Sequence, residues 1–524
     1  MKTTFRVLYM IGFLVSVHKN GNAENSLPIN NTPPGNINSL IPVPLSLQID
    51  TGYFSLSAST PIYVDPGTKE ALTFGVYLEQ KLMPATGFYL NVSTLPIQPT
   101  AHCIILTKTG ADSSLGEEGY TLIIKSDRVT ITALNSTGIF YGIQTLRQLL
   151  PALIESSAHQ SGPWEIPDLT IRDKPRFAWR GLMIDVARHF FAVKDIKHII
   201  DEMAYYKLNR LHLHLTDDQG WRIAINSWPD LTSIGGSTQT IGGSGGYYSQ
   251  EQYADIVEYA QSRNIMIVPE IDMPGHTNAA LASYSDLNED SKARLPYTGM
   301  DVGFSSLAIN KEISYAFVDS VVRELTSITP GPFIHLGGDE AHTLSDSDYV
   351  KFIQRVQSIV QSYHKQLIGW EEIAKATLLP SSIIQLWNTG VKQSAIEHGA
   401  KIIMSPASKT YLDMKYNSQT SLGQDWAGFI TVKDAYDWDP AKLFDTLPEK
   451  SILGIEAPLW TETITSISEI EFMIFPRLPG IAEIGWSPQE DRHWDEYSER
   501  LAEQGQRLTL MGINFYKSNQ VNWK

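Results

Sequence analysis

A single cysteine in 524 residues excludes any internal disulfide, and with it the stapled architectures of small exported domains. That residue, Cys103, lies in the strand-like run His102-Cys103-Ile104-Ile105-Leu106, a setting for packing rather than for a reactive thiolate. Positive charge is also short: 41 Lys and Arg stand against 57 Asp and Glu, a formal charge of −16. Such a surface does not seek phosphate, so neither nucleic acid nor an anionic lipid surface is an expected partner. No stretch reaches the ~20 apolar residues needed to span a bilayer, so no membrane span is expected. Neither an H-E-x-x-H motif nor a cysteine cluster supports a zinc site, although His212 and His214 alternate on one strand face; core or supporting roles suit them better.

What is present begins with an export pattern. Lys2 and Arg6 supply positive charge, Val7 to Val17 a short apolar run, and Gly21-Asn22-Ala23 the small residues of a cleavage site. Residues 1–23 therefore read as a signal peptide and the mature protein as periplasmic or extracellular; the missing disulfides favour a bacterial setting. Asn30, Asn91 and Asn135 sit in N-x-S/T patterns that matter only in a glycosylating host. Residues 24–44, rich in Asn, Pro, Ser and Gly, read as a flexible lead-in.

Residues 45–174 carry short β-type runs (Ile62 to Val64, Cys103 to Thr107, Tyr120 to Ile124, Val129 to Ala133) and helical patterns near Ala71–Leu82 and Gly138–Leu150, predicting a small α+β domain. From residue 175 to 524 the texture becomes apolar strand, polar cluster, amphipathic helix, repeated. Eight strand candidates follow: Leu182–Ile184, Leu211–Leu215, Met266–Val268, Phe333–Leu336, Leu367–Gly369, Ile383–Leu386, Ile402–Met404 and Ile452–Ile455. Eight strands in about 350 residues predict an α/β fold of the (β/α)8 TIM barrel type, with the Gly-rich Gly235–Gly246 segment as a loop insertion. Catalytic groups of such barrels gather at the C-terminal strand ends.

The sharpest cluster there is His335-Leu336-Gly337-Gly338-Asp339-Glu340. It places adjacent carboxylates at a strand end, where alternation would point them apart and proximity would raise one pKa. A solvated loop is the plainer reading of Asp-Glu alone; the glycines and the strand end favour a site. Three further clusters share that rim: Arg180-Gly181 with Asp185, Thr216-Asp217-Asp218, and Glu270 through His276 with Asp272 between them. An Asp beside a His orients the imidazole and raises its basicity, although His276 alone also fits a structural histidine. Trp370, Trp387 and Trp460 each adjoin a carboxylate or amide (Glu371-Glu372, Asn388, Glu462), and Tyr411 precedes Asp413. One Trp suggests packing; three at strand ends suggest walls that stack against sugar faces.

These residues closely resemble glycoside hydrolase family 20, the β-N-acetylhexosaminidases, over almost the whole mature chain. The resemblance implies exo-acting, retaining hydrolysis of terminal β-linked N-acetylhexosamine from a glycan or chitooligosaccharide, with the substrate's 2-acetamido oxygen as nucleophile. By that resemblance Glu340 is the acid, Asp339 orients the acetamido N–H and stabilises the positive intermediate, and Tyr411 binds the acetamido oxygen. Asp217 and His276 back the acid; Trp370, Trp387 and Trp460 enclose the sugar; Arg180, Asp413 and Glu462 hold ring hydroxyls. No metal or organic cofactor is implied. Two rivals stay open on sequence alone: a retaining glycosidase with a carboxylate nucleophile, and a catalytically silent glycan-binding relative. Oligomeric state is not legible.

Overall fold

The computed structural model describes residues 37–66, 69–96, 98–388, 396–444 and 447–524. The expected signal peptide, Asn30 and most of the lead-in lie outside the described residues. Seven strands form the first sheet: β1 (Ser46–Ser55), β2 (Ile62–Val64), β3 (Val92–Thr94), β4 (Cys103–Thr107), β5 (Tyr120–Lys125), β6 (Arg128–Thr132) and β7 (Glu165–Asp173). Their order is β1-β7-β5-β6-β4-β2-β3, antiparallel from β1 to β6 and parallel from β6 to β3. Three of these strands have no clean signal in the sequence. β1 is an exposed edge with a register shift between Ile49 and Tyr53, β3 is three residues long, and β7 contains Pro167 and Asp168. Helix Ser136–Leu149 is buried from Gly138 onward because it is covered both by the sheet and by the barrel: Tyr141 packs edge-on against Trp486 at 5.2 Å.

The second sheet closes on itself. Its strands are β8 (Trp179–Asp185), β9 (Arg210–His214), β12 (Met266–Glu270), β13 (Phe333–His335), β14 (Gln366–Trp370), β15 (Ile383–Leu386), β16 (Lys401–Met404) and β17 (Ile452–Leu459), all parallel, with β17 pairing β8 to seal the barrel. A short hairpin, β10 (Thr216–Asp217) and β11 (Gly220–Trp221), rises from the end of β9. The eight apolar runs expected from sequence each fall on one barrel strand. That legibility follows from burial: a parallel strand covered on both faces becomes a nearly continuous apolar run.

Two buried cations tie the surrounding structure down. Lys207 Nζ lies 3.0 Å from Asp173 Oδ2 and 3.0 Å from the Tyr120 hydroxyl, joining barrel to sheet. Arg222 donates to the carbonyls of Ala187 (3.1 Å), Gly236 (3.3 Å), Thr238 (2.8 Å) and Gly246 (3.1 Å), anchoring the Gly-rich insertion. Among the described residues no helix is long and apolar enough to cross a membrane.

Candidate active site

The barrel rule places chemistry where the strands end, and the segments at or after the ends of β8, β12, β13, β14, β15, β16 and β17 converge there on a cavity of about 440 Å³. Strand β13 stops at His335, so Asp339 and Glu340 sit in the loop beyond it rather than on an alternating strand. That corrects the expectation that they point apart. The loop turns back through Gly337 (φ 63°), Gly338 (φ 99°) and Glu340 (φ 44°), and both carboxylates approach one atom, His276 Nε2, at 3.5 and 3.4 Å. Gly337 is obligatory: a Cβ there would lie 1.8 Å from Asp272 Oδ1. Left-handed backbone at Glu340 and at His276 (φ 52°) is strain of the kind that collects where side chains must be aimed.

A relay of charge runs behind the pair. Arg188 donates to Asp217 Oδ2 at 2.7 Å, and Asp217 Oδ1 lies 3.2 Å from His276 Nδ1. Burial alone would raise the Asp217 carboxyl, but Arg188 and then His276 outweigh it and hold it well below the usual range. Burial likewise disfavours charge on His276, yet Asp217 and Asp339 keep the imidazole well above its ordinary value, so it is a cation. Of the two adjacent carboxyls it is Asp339, buried and next to Glu270 and Glu340, that is pushed up to about 6. Glu340 is less buried; desolvation raises it, but the His276 contact wins and lowers it. Asp272, buried against Asp339, is raised well above the carboxylate range and stands as a neutral acid beside it.

The walls are aromatic. Trp370 and Trp460 lie 5.8 Å apart, Tyr411 stands 6.4 Å from Trp460, and Trp387 stacks with Tyr411 at 6.5 Å. Between them are polar atoms that are buried yet have no protein hydrogen-bond partner: Arg188 Nε and Nη1, both carboxylate oxygens of Asp413, Glu462 Oε2 and Asp339 Oδ1. Buried polar groups in native proteins are normally paired, so unpaired ones on Arg188, Asp339 and Glu462, which line one cavity, mark where a ligand's hydroxyls and amide bind. In the barrel interior beneath, Glu270 is held from four sides. Glu270 meets His212 (3.0 Å), His214 (2.5 Å), His335 (2.8 Å) and the Trp370 indole N–H (2.9 Å), which gives His212 and His214 the supporting roles expected of them.

Comparison with known proteins matches this geometry to a family. Residues 177–489 match the model of the glycosyl hydrolase family 20 catalytic domain, and residues 38–174 match the family's domain 2. The chain belongs to glycosyl hydrolase family 20. A β-N-acetylhexosaminidase of Cellulomonas fimi is 39% identical over 490 residues, spanning 93% of this chain and 97% of that protein. The solved family 20 β-N-acetylhexosaminidase of Streptomyces coelicolor A3(2) is 47% identical with a TM-score of 0.90, covering 93% of this chain and 99% of the other. A mutant Streptomyces plicatus β-hexosaminidase in complex with its product GlcNAc is also 47% identical at a TM-score of 0.90, over 95% and 99% of the two chains.

In this family 20 site Asp217, His276, Asp339, Glu340, Trp370, Trp387, Tyr411, Asp413, Trp460 and Glu462 come together. Arg180 does not. It sits near the start of β8, at the opposite end of the barrel, fully buried beneath the first sheet. There it donates to the carbonyls of Phe177 (2.8 Å) and Lys207 (3.0 Å) and to the Tyr141 hydroxyl (3.1 Å), and pairs with Glu118 (2.7 Å). The arginine in the cavity is Arg188, three residues past the end of β8, packed 4.9 Å over the Trp460 ring. The C-terminal-end rule already pointed there. Trp426, half-exposed at the cavity mouth and 5.8 Å from Tyr411, was also missed, since it lies in a loop far from any strand end.

Proposed function

We propose that this family 20 chain is a β-N-acetylhexosaminidase that removes terminal β-linked GlcNAc or GalNAc from glycans or chitooligosaccharides, retaining configuration through the substrate's own acetamido group. The observation that carries this reading is the cluster of buried, unpartnered polar atoms on Arg188, Asp339 and Glu462 inside an aromatic box that also holds an acid pair.

The 2-acetamido oxygen attacks the anomeric carbon as the glycosidic C–O bond breaks, and Glu340 gives its proton to the departing oxygen. Asp339 accepts a hydrogen bond from the acetamido N–H and faces the positive charge that develops on that group. Tyr411 is buried, with Asp413 and Asp339 nearby, and so stays a neutral phenol able to donate to the acetamido oxygen. Water then attacks the same carbon, returns its proton to Glu340 and releases the acetamido oxygen. Substrate also corrects the proton inventory of the free site, where Asp339 holds a proton more readily than Glu340. An amide N–H donated to Asp339 favours its ionised form, while a sugar covering Glu340 strips away water and favours its acid form.

A covalent carboxylate mechanism needs carboxyls on opposite sides of the sugar. Here Asp339 and Glu340 approach the same imidazole nitrogen, at 3.5 and 3.4 Å, which favours a single-sided pair. The test is hydrolysis of aryl N-acetyl-β-D-glucosaminide and galactosaminide by purified protein, with Glu340→Gln and the unacetylated aryl glucoside as controls. Turnover of the acetamido sugars alone is expected; comparable turnover of the plain glucoside would overturn the mechanism. On the pattern of Lys2, Arg6 and the apolar run that follows, the enzyme also acts outside the cytoplasm. Fractionation of the native host checks this.

A further inference from the structure

On the helices outside the barrel that follow its first and last strands, three metal-ligand side chains meet. Helix Val193–Tyr205, which follows β8, carries His198 and Glu202 four residues apart and therefore on one face. Helix Ile467–Ile474, which follows β17, supplies Glu471. His198 Nε2 lies 2.8 Å from Glu471 Oε1 and 3.2 Å from Glu202 Oε1, and one ligand atom from each residue falls within 4.8 Å of the other two. Tetrahedral zinc with bonds of about 2.0–2.1 Å wants ligand atoms roughly 3.3 Å apart, so small side-chain shifts would complete the set.

The second observation is Glu202 itself. It is 4% exposed, lines a cavity of about 330 Å³ together with His198, and its Oε2 has no hydrogen-bond partner. Nearby cations are already engaged: Lys81 with Asp201 at 3.2 Å and Arg147 with Glu155 at 2.6 Å. Two buried carboxylates thus face one imidazole, which can supply at most one positive charge. The imidazole is 44% exposed, giving an ion an approach from solvent. The second oxygen of Glu471 accepts the Asn514 backbone N–H at 2.9 Å, a support that fixes ligand orientation.

We propose that His198, Glu202 and Glu471 form a site for one divalent transition-metal ion, best suited to zinc, with solvent completing the coordination. One imidazole and two carboxylates are borderline-to-hard donors in the range zinc accepts. The site's place in the fold gives it a role. Strands β8 and β17 are the first and last of the barrel, and their helices are bridged here across 273 residues of sequence. A metal at this point staples the seam where the barrel closes and stabilises the native state by binding it preferentially.

The experiment is calorimetric titration of chelator-treated full-length protein with zinc chloride, paired with thermal melts with and without zinc. One zinc per chain is expected, with a Tm higher by a few degrees and reversible by EDTA. Glu202→Gln and Glu471→Gln should weaken binding by roughly 100-fold or more, and His198→Gln should abolish the melting response while keeping glycosidase activity. Cobalt(II) titrated into wild type and His198→Gln gives a second readout: a visible d–d band in the first and none in the second. No binding by wild type at millimolar zinc would overturn the proposal, as would undiminished binding, or an undiminished cobalt band, in the His198 variant. A plain ion pair would show itself as variants that lose stability equally with and without zinc.

Discussion

The two ends of the barrel bury comparable charge and use it oppositely. At the N-terminal end Arg180, Lys207 and Asp173 are buried and engaged. Asp173 accepts from Lys207 (3.0 Å), the Tyr120 hydroxyl (2.7 Å) and the Trp486 indole (2.9 Å), and Arg180 spends its donors on carbonyls, a phenol and Glu118. At the C-terminal end Arg188, Asp413 and Glu462 are as deeply buried, yet each keeps polar atoms without a protein partner. Burial therefore does not separate structural from functional charge. Between these two sets of residues pairing does: an unpaired buried polar atom costs free energy unless a ligand satisfies it.

The sharpest break of this contrast is at the acid. Glu340→Gln removes the transferable proton from a partly exposed side chain that supports little of the fold. Turnover on a substrate with a poor leaving group should fall roughly 10²–10⁴-fold while the thermal midpoint stays near that of wild type. Steady-state kinetics beside a melting curve measures both, and an unchanged kcat would remove Glu340 from its role. Next comes the arginine pair. Arg188→Ala should lower kcat/KM by roughly 10–100-fold, as for lost charged hydrogen bonds. Arg180→Ala should instead cost about 3–5 kcal/mol of stability by orphaning its partners, leaving the KM of the folded fraction unchanged. Denaturant melts and kinetics on both variants decide it. A raised KM in Arg180→Ala would erase the distinction between the two ends.

That pair also shows what could be read from the sequence. The eight barrel strands were legible because burial on both faces leaves an apolar run, and most of the site was legible because carboxylates and tryptophans stand just past those runs. The resemblance assigns Arg180 to the site and it borders a strand, but it borders the wrong end; the direction of the strand within the closed barrel separates it from Arg188. Trp426 carries no local mark, since its loop is brought to the cavity by tertiary packing alone. Nor did adjacency in sequence reveal which carboxyl of the Asp-Glu pair would be raised. That depends on Asp339 being buried beside Glu270 while Glu340 leans on His276, a matter of the left-handed loop after β13.

Asp272 sharpens the picture of that loop. Raised well above the carboxylate range by burial and by Asp339, it stands as a neutral acid, and its Oδ1 also accepts the Gly338 backbone N–H at 3.2 Å. Asparagine preserves both an acceptor for that N–H and a donor for Asp339; alanine preserves neither. Asp272→Ala should therefore lose roughly tenfold or more in kcat, and Asp272→Asn markedly less, since a hydrogen bond to a charged group is worth about 1.5–3 kcal/mol. Equal losses in the two would mean that the residue only fills space.

The smallest effect is a displacement of pH dependence between free and occupied enzyme. In the free site Asp339 titrates at about 6 and Glu340 is held below its ordinary value, chiefly by His276, against the upward push of burial. The proposed mechanism requires the reverse, Asp339 ionised and Glu340 protonated. In the free enzyme the pair loses its last proton at the higher of its two values, that of Asp339 at about 6, which sets the alkaline limb of kcat/KM; once the proton rests on Glu340 in the complex, the value of Glu340 sets that of kcat. A bound sugar raises Glu340 by excluding water and favours ionised Asp339 by donating its amide N–H. Because kcat/KM reports the free enzyme and kcat the complex, the alkaline limb of kcat should lie at higher pH than that of kcat/KM. His276→Asn should move the alkaline limb of kcat/KM to higher pH, because the imidazolium no longer holds Asp339 and Glu340 down in the free enzyme. Paired pH–rate profiles measure this directly. Coincident limbs in wild type would mean that the proton already rests on Glu340 before substrate arrives, and that the acid end of the site is prepared by the fold alone.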